Sequence, residues 1–188
     1  PKYFPPEKLQ FFDETGGVGI EFAKLPYDHL LFTGSGAAGR KVMAAAAENL
    51  VPVTLELGGK APAVVCDDFP LRTAAERILY VKCLNAGQIC TTVDHAYVPR
   101  WQVDEFARLA AEIVPARYPQ LDSPDYTSII DRRSFDRLVG ALKDARKRGA
   151  TVLLASTLTG AQLPIAIESV NTSSAHSLFD AVSAVQSF

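Results

Sequence analysis

The chain has 188 residues, 48% hydrophobic and 21% charged, a composition that places it among globular proteins and excludes disordered and fibrous classes. Nineteen Lys and Arg against twenty-one Asp and Glu give a net charge of −2; with no basic stripe interleaved with aromatics, no nucleic-acid partner is expected. At roughly 150 residues per domain, the length holds one domain with residues to spare, or pieces of two.

The first residues, Pro1-Lys2-Tyr3-Phe4-Pro5-Pro6, contain neither an initiator Met nor an apolar signal-like run, so the chain is expected to begin inside a longer protein. From Leu30 to Thr33 a short apolar run meets Gly34-Ser35-Gly36, and Arg40 to Leu50 is rich in Ala, Met and Lys, so the order strand, glycine turn, helix is expected. Pro52 blocks helix continuation, and Val53 to Leu57 reads as a second strand closed by Gly58-Gly59, with a right-handed crossover into a parallel sheet. Ala61 to Cys66 reads as a buried strand, Leu71 to Leu84 as a helix ended by Asn85-Ala86-Gly87, Ala96 to Val98 as a strand stopped by Pro99, and Val103 to Val114 as a helix. Residues Arg132 to Gly149 form an amphipathic helix with a basic cluster in its last turn. That cluster reads either as an anionic ligand site or as a solvated face whose cations offset the helix dipole. Thr151 to Leu154 is the next strand. From Ser156 to Phe188 there is no Lys or Arg and only Glu168 and Asp180 are acidic, an abrupt change in composition. The longest uncharged run, Gly149 to Ile167, carries too many polar residues for a membrane span, and no repeat of 20 to 50 residues occurs.

Three constellations carry chemistry. Gly34-Ser35-Gly36-Ala37-Ala38-Gly39 matches G-x-G-x-x-G between a strand and a helix, where backbone N–H groups can face a pyrophosphate. The alternative is a glycine-rich turn with a packing role. Glu56, 17 residues after Gly39, stands at a strand end beside two glycines, and reads as a ribose-binding acid, a general base or an ordinary ion-pair partner. Cys90 lies on a turn between a helix and a strand, where thiols can be activated, whereas Cys66 and Cys83 read as small core residues. Three cysteines in no zinc-like spacing predict a reduced, cytoplasmic chain with no metal site.

In this order the three constellations resemble the aldehyde dehydrogenase superfamily, from about Leu25 to Leu154. Phe32-Thr33-Gly34-Ser35 followed by Gly39 is similar to its cofactor-loop motif, Leu55 to Lys60 to its glutamate motif, and Gly87-Gln88-Ile89-Cys90 to its cysteine motif; the 34-residue separation of Glu56 and Cys90 is also the family's. The segments Leu25 to Leu31, Lys41 to Leu50, Lys82 to Gln88 and Asp125 to Ile130 look most like bacterial coniferyl aldehyde dehydrogenases.

The resemblance implies an α/β fold in which part of a Rossmann-like cofactor domain (1–58) is followed by part of a catalytic thiol domain (59–154) and a divergent tail (155–188). It implies oxidation of an aldehyde, aromatic by the subgroup likeness, to a carboxylic acid. Cys90 would be the nucleophile and Glu56 the general base, with Gly34, Ser35, Gly39, Leu57 and Gly58 lining the site of NAD or NADP. The parent family is homo-oligomeric. Gly36 and Ala37 depart from the family's loop, which usually carries Thr and an acidic or small residue there. The family's oxyanion-binding Asn would lie upstream of residue 1, and its E-x-F-G-P segment, expected after Leu154, is missing, as a frameshift or aberrant splice would explain. The competing reading is a non-catalytic remnant that binds at most a nucleotide or a partner.

Overall fold

The computed structural model describes residues 3–13, 18–154, 166–170 and 179–184, the last two stretches and residues 153–154 as backbone strands only. The contacts divide the chain into two compact units, Pro1–Leu57 and Gly58–Phe188.

The first unit contains α1 (Val18–Phe22), β1 (Leu30–Gly34), α2 (Gly36–Ala47) and β2 (Val53–Leu57). β1 and β2 pair in parallel, with Leu30 opposite Val53 and Gly34 opposite Leu57. A parallel pair needs a crossover, and the alanine-rich α2 supplies it because Ala gives up least on entering a helix. α2 begins four residues before the expected Arg40. Ser35 adopts extended backbone and its side chain accepts from Ala38 N–H at 3.2 Å, a cap that starts the helix at Gly36. The helix ends at Ala47, before the expected Leu50, because Leu50 takes φ 57° and Val51 N–H turns back to Ala46 O at 3.1 Å. A small core of Ala23, Leu30, Ala46 and Val51 is flanked by Tyr27, Phe32 and Val42.

The second unit contains β3 (Ala61–Val64), α3 (Leu71–Cys83), β4 (Val93–Pro99), α4 (Val103–Arg117), α5 (Arg132–Lys147), β5 (Thr151–Leu154), β6 (Ala166–Val170) and β7 (Phe179–Ala184). Its sheet runs β3-β4-β7-β6-β5, parallel between β3 and β4 and antiparallel across the other three pairs. Two strands of the compositionally distinct tail therefore pair between β4 and β5, while residues 155–165, 171–178 and 185–188 lie outside the described residues. The core is built from α3 and α4, whose Ala75, Leu79, Phe106, Ala110 and Val114 pack with Val98 of β4. Phe106 and Val98 are among the largest fully buried side chains, and each buried aliphatic or aromatic group contributes roughly 1.5–3 kcal/mol.

Several expectations change. β4 begins at Val93, three residues before the expected Ala96, and includes Pro99, and α4 runs on to Arg117 past the expected Val114. β3, expected to be buried, alternates half-buried Ala61 and Ala63 with exposed Pro62 and Val64. β3 stops at Val64 rather than Cys66, since the chain turns there with Phe69 N–H donating to Cys66 O at 3.2 Å. Cys66 is consequently exposed and not a core residue, whereas Cys83 is buried as expected. Two arginines at the ends of α5 enter i,i+4 ion pairs, Arg132 of the first turn with Asp136 at 2.9 Å and Arg148 of the basic cluster with Asp144 at 2.7 Å. The exposed Arg148 pair favours the solvated-face reading of that cluster. Among the described residues no helix is long and apolar enough to cross a membrane.

Candidate functional site

The sequence-derived site residues fall into both units. In the first unit Ser35 caps α2, and Gly39 N–H donates to Ser35 O at 2.8 Å. Gly39 is buried against β2: a Cβ there would stand 3.1 Å from Leu57 Cδ2 and 3.7 Å from the Leu55 methyls, so its small size lets helix and strand approach. At Gly34 an added Cβ would meet the Phe32 ring at 2.6 Å. Gly36 is different, because a Cβ there would find only the Arg40 guanidinium, at 3.7 Å.

This arrangement fits a phosphate-bearing cofactor. The first turn of a helix leaves N–H groups without intrahelical partners and carries partial positive charge, and here it combines with open space at Gly36 and the nearby Arg40 cation. Leu57 ends β2 with its side chain beneath Gly39, and Gly58 is exposed at the start of the second unit. Glu56 stands opposite Thr33 in the parallel register. Strand alternation places Val53, Leu55 and Leu57 half-buried and leaves Thr54 and Glu56 exposed.

In the second unit, α3 ends in a short 3₁₀ turn, Leu84–Gly87, with left-handed backbone at three consecutive residues: Asn85 (φ 51°), Ala86 (φ 54°) and Gly87 (φ 75°). Left-handed geometry costs roughly 1–2 kcal/mol for an ordinary L residue such as Ala86. The hydrogen bonds of Gln88 offset it. Its Nε2 donates to Asn85 O at 3.0 Å and to Ser128 O at 3.1 Å, and its Oε1 accepts from Ile130 N–H at 2.9 Å. Asn85 Nδ2 in turn donates to Gln88 O at 3.2 Å.

Cys90 follows in a tight turn closed by Thr92 N–H donating to Ile89 O at 3.0 Å, and is exposed. Buried Thr92 anchors the exit of the turn, its hydroxyl donating to Val81 O of α3 at 2.9 Å. On another side lies Gly59, where a Cβ would come 2.5 Å from Cys90 O. The second of the two glycines after Glu56 thus permits a close backbone approach to the cysteine turn.

Lys60 continues this connection, with Nζ 2.9 Å from Asp94 Oδ1 just past the turn, while Asp94 Oδ2 lies 3.1 Å from His95 Nδ1. Lys82 of α3 is 2% exposed. Burial pulls its ammonium down to about 8, against the attraction of Asp94, and burial pushes the Cys83 thiol up to about 11. Sequence reading missed Gln88 as a structural tie and Lys82 as a buried cation. Only the position of Gln88 inside the cysteine motif pointed to the first, and a lysine near the end of a helix gave no sign of the second. Among the described residues no group of three or more His, Cys, Asp or Glu could hold a metal ion.

A strand, capped glycine turn and helix in one unit, and an exposed thiol on a braced turn in the other, define an α/β chain with a glycine turn suited to a phosphate and a candidate nucleophile. Comparison with known proteins places it more closely. The chain belongs to the aldehyde dehydrogenase family, whose model matches residues 6–167. It is 51% identical over 153 residues to the "Probable coniferyl aldehyde dehydrogenase" of Pseudomonas aeruginosa, covering 81% of this chain and 32% of the relative. It is 47% identical to the "Coniferyl aldehyde dehydrogenase" of Pseudomonas sp. strain HR199, covering 77% and 32%. Among solved structures, aldehyde dehydrogenase C of Pseudomonas syringae, in complex with NAD+ and octanal, superposes with a TM-score of 0.73 at 28% identity, covering 83% of this chain and 34% of that one. The chain thus spans about a third of the length of the curated relatives it matches.

Proposed function

We propose that the protein to which this chain belongs oxidises an aldehyde to a carboxylic acid through Cys90, with NAD or NADP held at the α2 turn. The observation that carries this is the presentation of Cys90, exposed on a turn that Gln88, Gly59 and Thr92 brace.

The Cys90 thiolate adds to the carbonyl carbon, forming a C–S bond and moving the carbonyl π electrons onto oxygen, which gives a thiohemiacetal. Turn N–H groups, that of Cys90 among them, stabilise this oxyanion. The dinucleotide, when bound, supplies the acceptor for the hydride whose loss turns the thiohemiacetal into a thioester. Glu56 then takes a proton from water, the resulting hydroxide attacks the thioester carbon, and the C–S bond breaks to release the acid and restore the thiolate. Ser35, Gly34 and Gly39 shape the turn that holds the cofactor phosphates, while Leu57 ends the strand beside it and Gly58, next in sequence, completes the proposed set.

Likeness to proteins named coniferyl aldehyde dehydrogenases supports an aromatic aldehyde. Likeness to structures solved with NAD+ or described as NADP-dependent supports a nicotinamide cofactor. We further propose residues 1–58 as cofactor-binding and 59–154 as catalytic, a homo-oligomer of the family type, and a reducing cytoplasmic setting for the three free thiols.

Replacement Cys90→Ala tests the reading. Aldehyde-dependent NAD(P)H formation is expected to vanish, and Glu56→Gln to let acyl-enzyme accumulate. Turnover that survives Cys90→Ala would overturn it, and nucleotide binding without turnover of any aldehyde would favour the remnant reading.

A further inference from the structure

We infer that Gln88 is a positioning residue: its side-chain amide straps the Cys90 turn to the 128–130 segment and thereby fixes where the thiol is presented. The inference rests on the reading of Cys90 as nucleophile.

Gln88 stands two residues before Cys90 and spends every polar atom of its side chain on main-chain partners. Nε2 donates to Asn85 O within the turn and to Ser128 O across 40 positions of sequence, and Oε1 accepts from Ile130 N–H across 42. The far side of the strap is itself fixed. Ile129, between the two anchoring residues, is buried in the core, and Asp131, next after Ile130, caps α5 through Ser134 N–H. The near side is poised to relax, because Asn85, Ala86 and Gly87 are all left-handed. A side chain that joins a strained turn to a rigid anchor holds one conformation of the turn; without it the left-handed residues return to ordinary backbone and the thiol is spread over several positions. A glutamine amide suits this task because it donates twice and accepts at the same planar group, matching two carbonyls and one N–H. A carboxylate supplies acceptors alone and faces both carbonyls unfavourably.

The test compares wild type with Gln88→Met, similar in length but without amide hydrogen bonds, and Gln88→Glu, which keeps an acceptor for Ile130 N–H. Iodoacetamide labelling at neutral pH is followed by peptide mass, with exposed Cys66 as internal reference. The ratio of Cys90 to Cys66 labelling rates is expected to fall threefold or more in both variants, with circular dichroism unchanged. In aldehyde oxidation kcat should fall while KM stays within twofold. Ser128→Ala should leave the ratio unchanged, since the bond goes to the main-chain carbonyl. An unchanged ratio in a folded variant would overturn the inference; should Gln88→Met not fold, the ratio in Gln88→Glu decides. A shifted ratio in proteins that oxidise no aldehyde would support the strap and overturn the nucleophile reading instead.

Discussion

Gly59 and Cys90 approach so closely that a single methyl group on the Gly59 Cα would lie 2.5 Å from the Cys90 carbonyl oxygen. Within the second unit the main chain at Gly59 and that of the cysteine motif are therefore in steric contact, and the glycine at this position is required by space. The obstructing atom is backbone, which cannot rotate away as a flexible side chain would. Gly59→Ala is expected to displace the Cys90 turn and to destabilise the fold by about 1–3 kcal/mol, the range for overpacking. Urea unfolding gives the stability change, and the Cys90 labelling rate should change with it. Wild-type stability together with wild-type labelling would show that the turn yields freely.

Lys82 and Cys83, adjacent on α3, should oppose each other in alkaline stability. The folded pKa of Lys82 lies near 8, below its ordinary 10.5, so the unfolded state binds more protons between these values and stability rises as pH goes from about 8 to 10.5. The Cys83 thiol behaves oppositely: with its pKa raised from 9.0 to about 11, the folded state retains the proton longer, and stability falls across that range. Unfolding curves are expected to show a net gain between about pH 8 and 9 and near cancellation above it. Lys82→Met should abolish the gain, and Cys83→Ala should extend it toward 10.5. A wild-type profile flat from 8 to 9, and unaltered by Lys82→Met, would count against a buried titrating lysine.

Ser35 begins α2 by capping Ala38 N–H at 3.2 Å. Ser35→Ala is expected to destabilise the chain by about 1 kcal/mol, with the loss centred on α2, whereas Ser35→Gly should cost only a few tenths of a kcal/mol. Denaturant midpoints of the two variants measure the difference, and equal midpoints would deny the cap its role.

Asp131 caps α5 through Ser134 N–H, and the hydrogen bonds from that residue hold its carboxyl below the usual carboxylate range. The cap contributes fully above the unfolded carboxyl pKa and is lost as pH falls through the folded one. First-turn amides of α5 should therefore exchange several-fold faster in Asp131→Ala at neutral pH, and wild type should approach the variant in acid. The same replacement leaves the Gln88 bonds to Ser128 and Ile130 chemically intact, so Cys90 labelling should shift less than in Gln88→Met.

Much of the backbone was legible from neighbours in sequence. The apolar run, glycine turn and alanine-rich segment specify β1 and α2, and Pro52 with the β-branched residues after it specifies β2, because strand and helix preferences act within a few residues. The departures are equally local. The Ser35 cap starts α2 four residues before the expected Arg40, and Leu50, expected inside the helix, lies past its end in left-handed backbone. Cys66 looked buried because it follows an apolar run, yet the strand stops two residues earlier and leaves the thiol exposed.

The sequence by itself determined the family, the order of elements from β1 to β5 and the candidate chemistry at Glu56 and Cys90, since these reside in short segments and motifs whose residue types are dictated by local preference, turn geometry and reactivity, whereas α1 and the tail strands β6 and β7 were not legible in it. Tertiary structure alone decided which groups hold the cysteine turn. Gly59 comes against Cys90 O, Gln88 reaches Ser128 and Ile130, and Lys82 is buried near Asp94 only after β3, α3, β4 and the segment leading into α5 have packed together. Contacts across 40 residues leave no periodic signature, because they depend on how packed elements meet rather than on the preferences of adjacent residues.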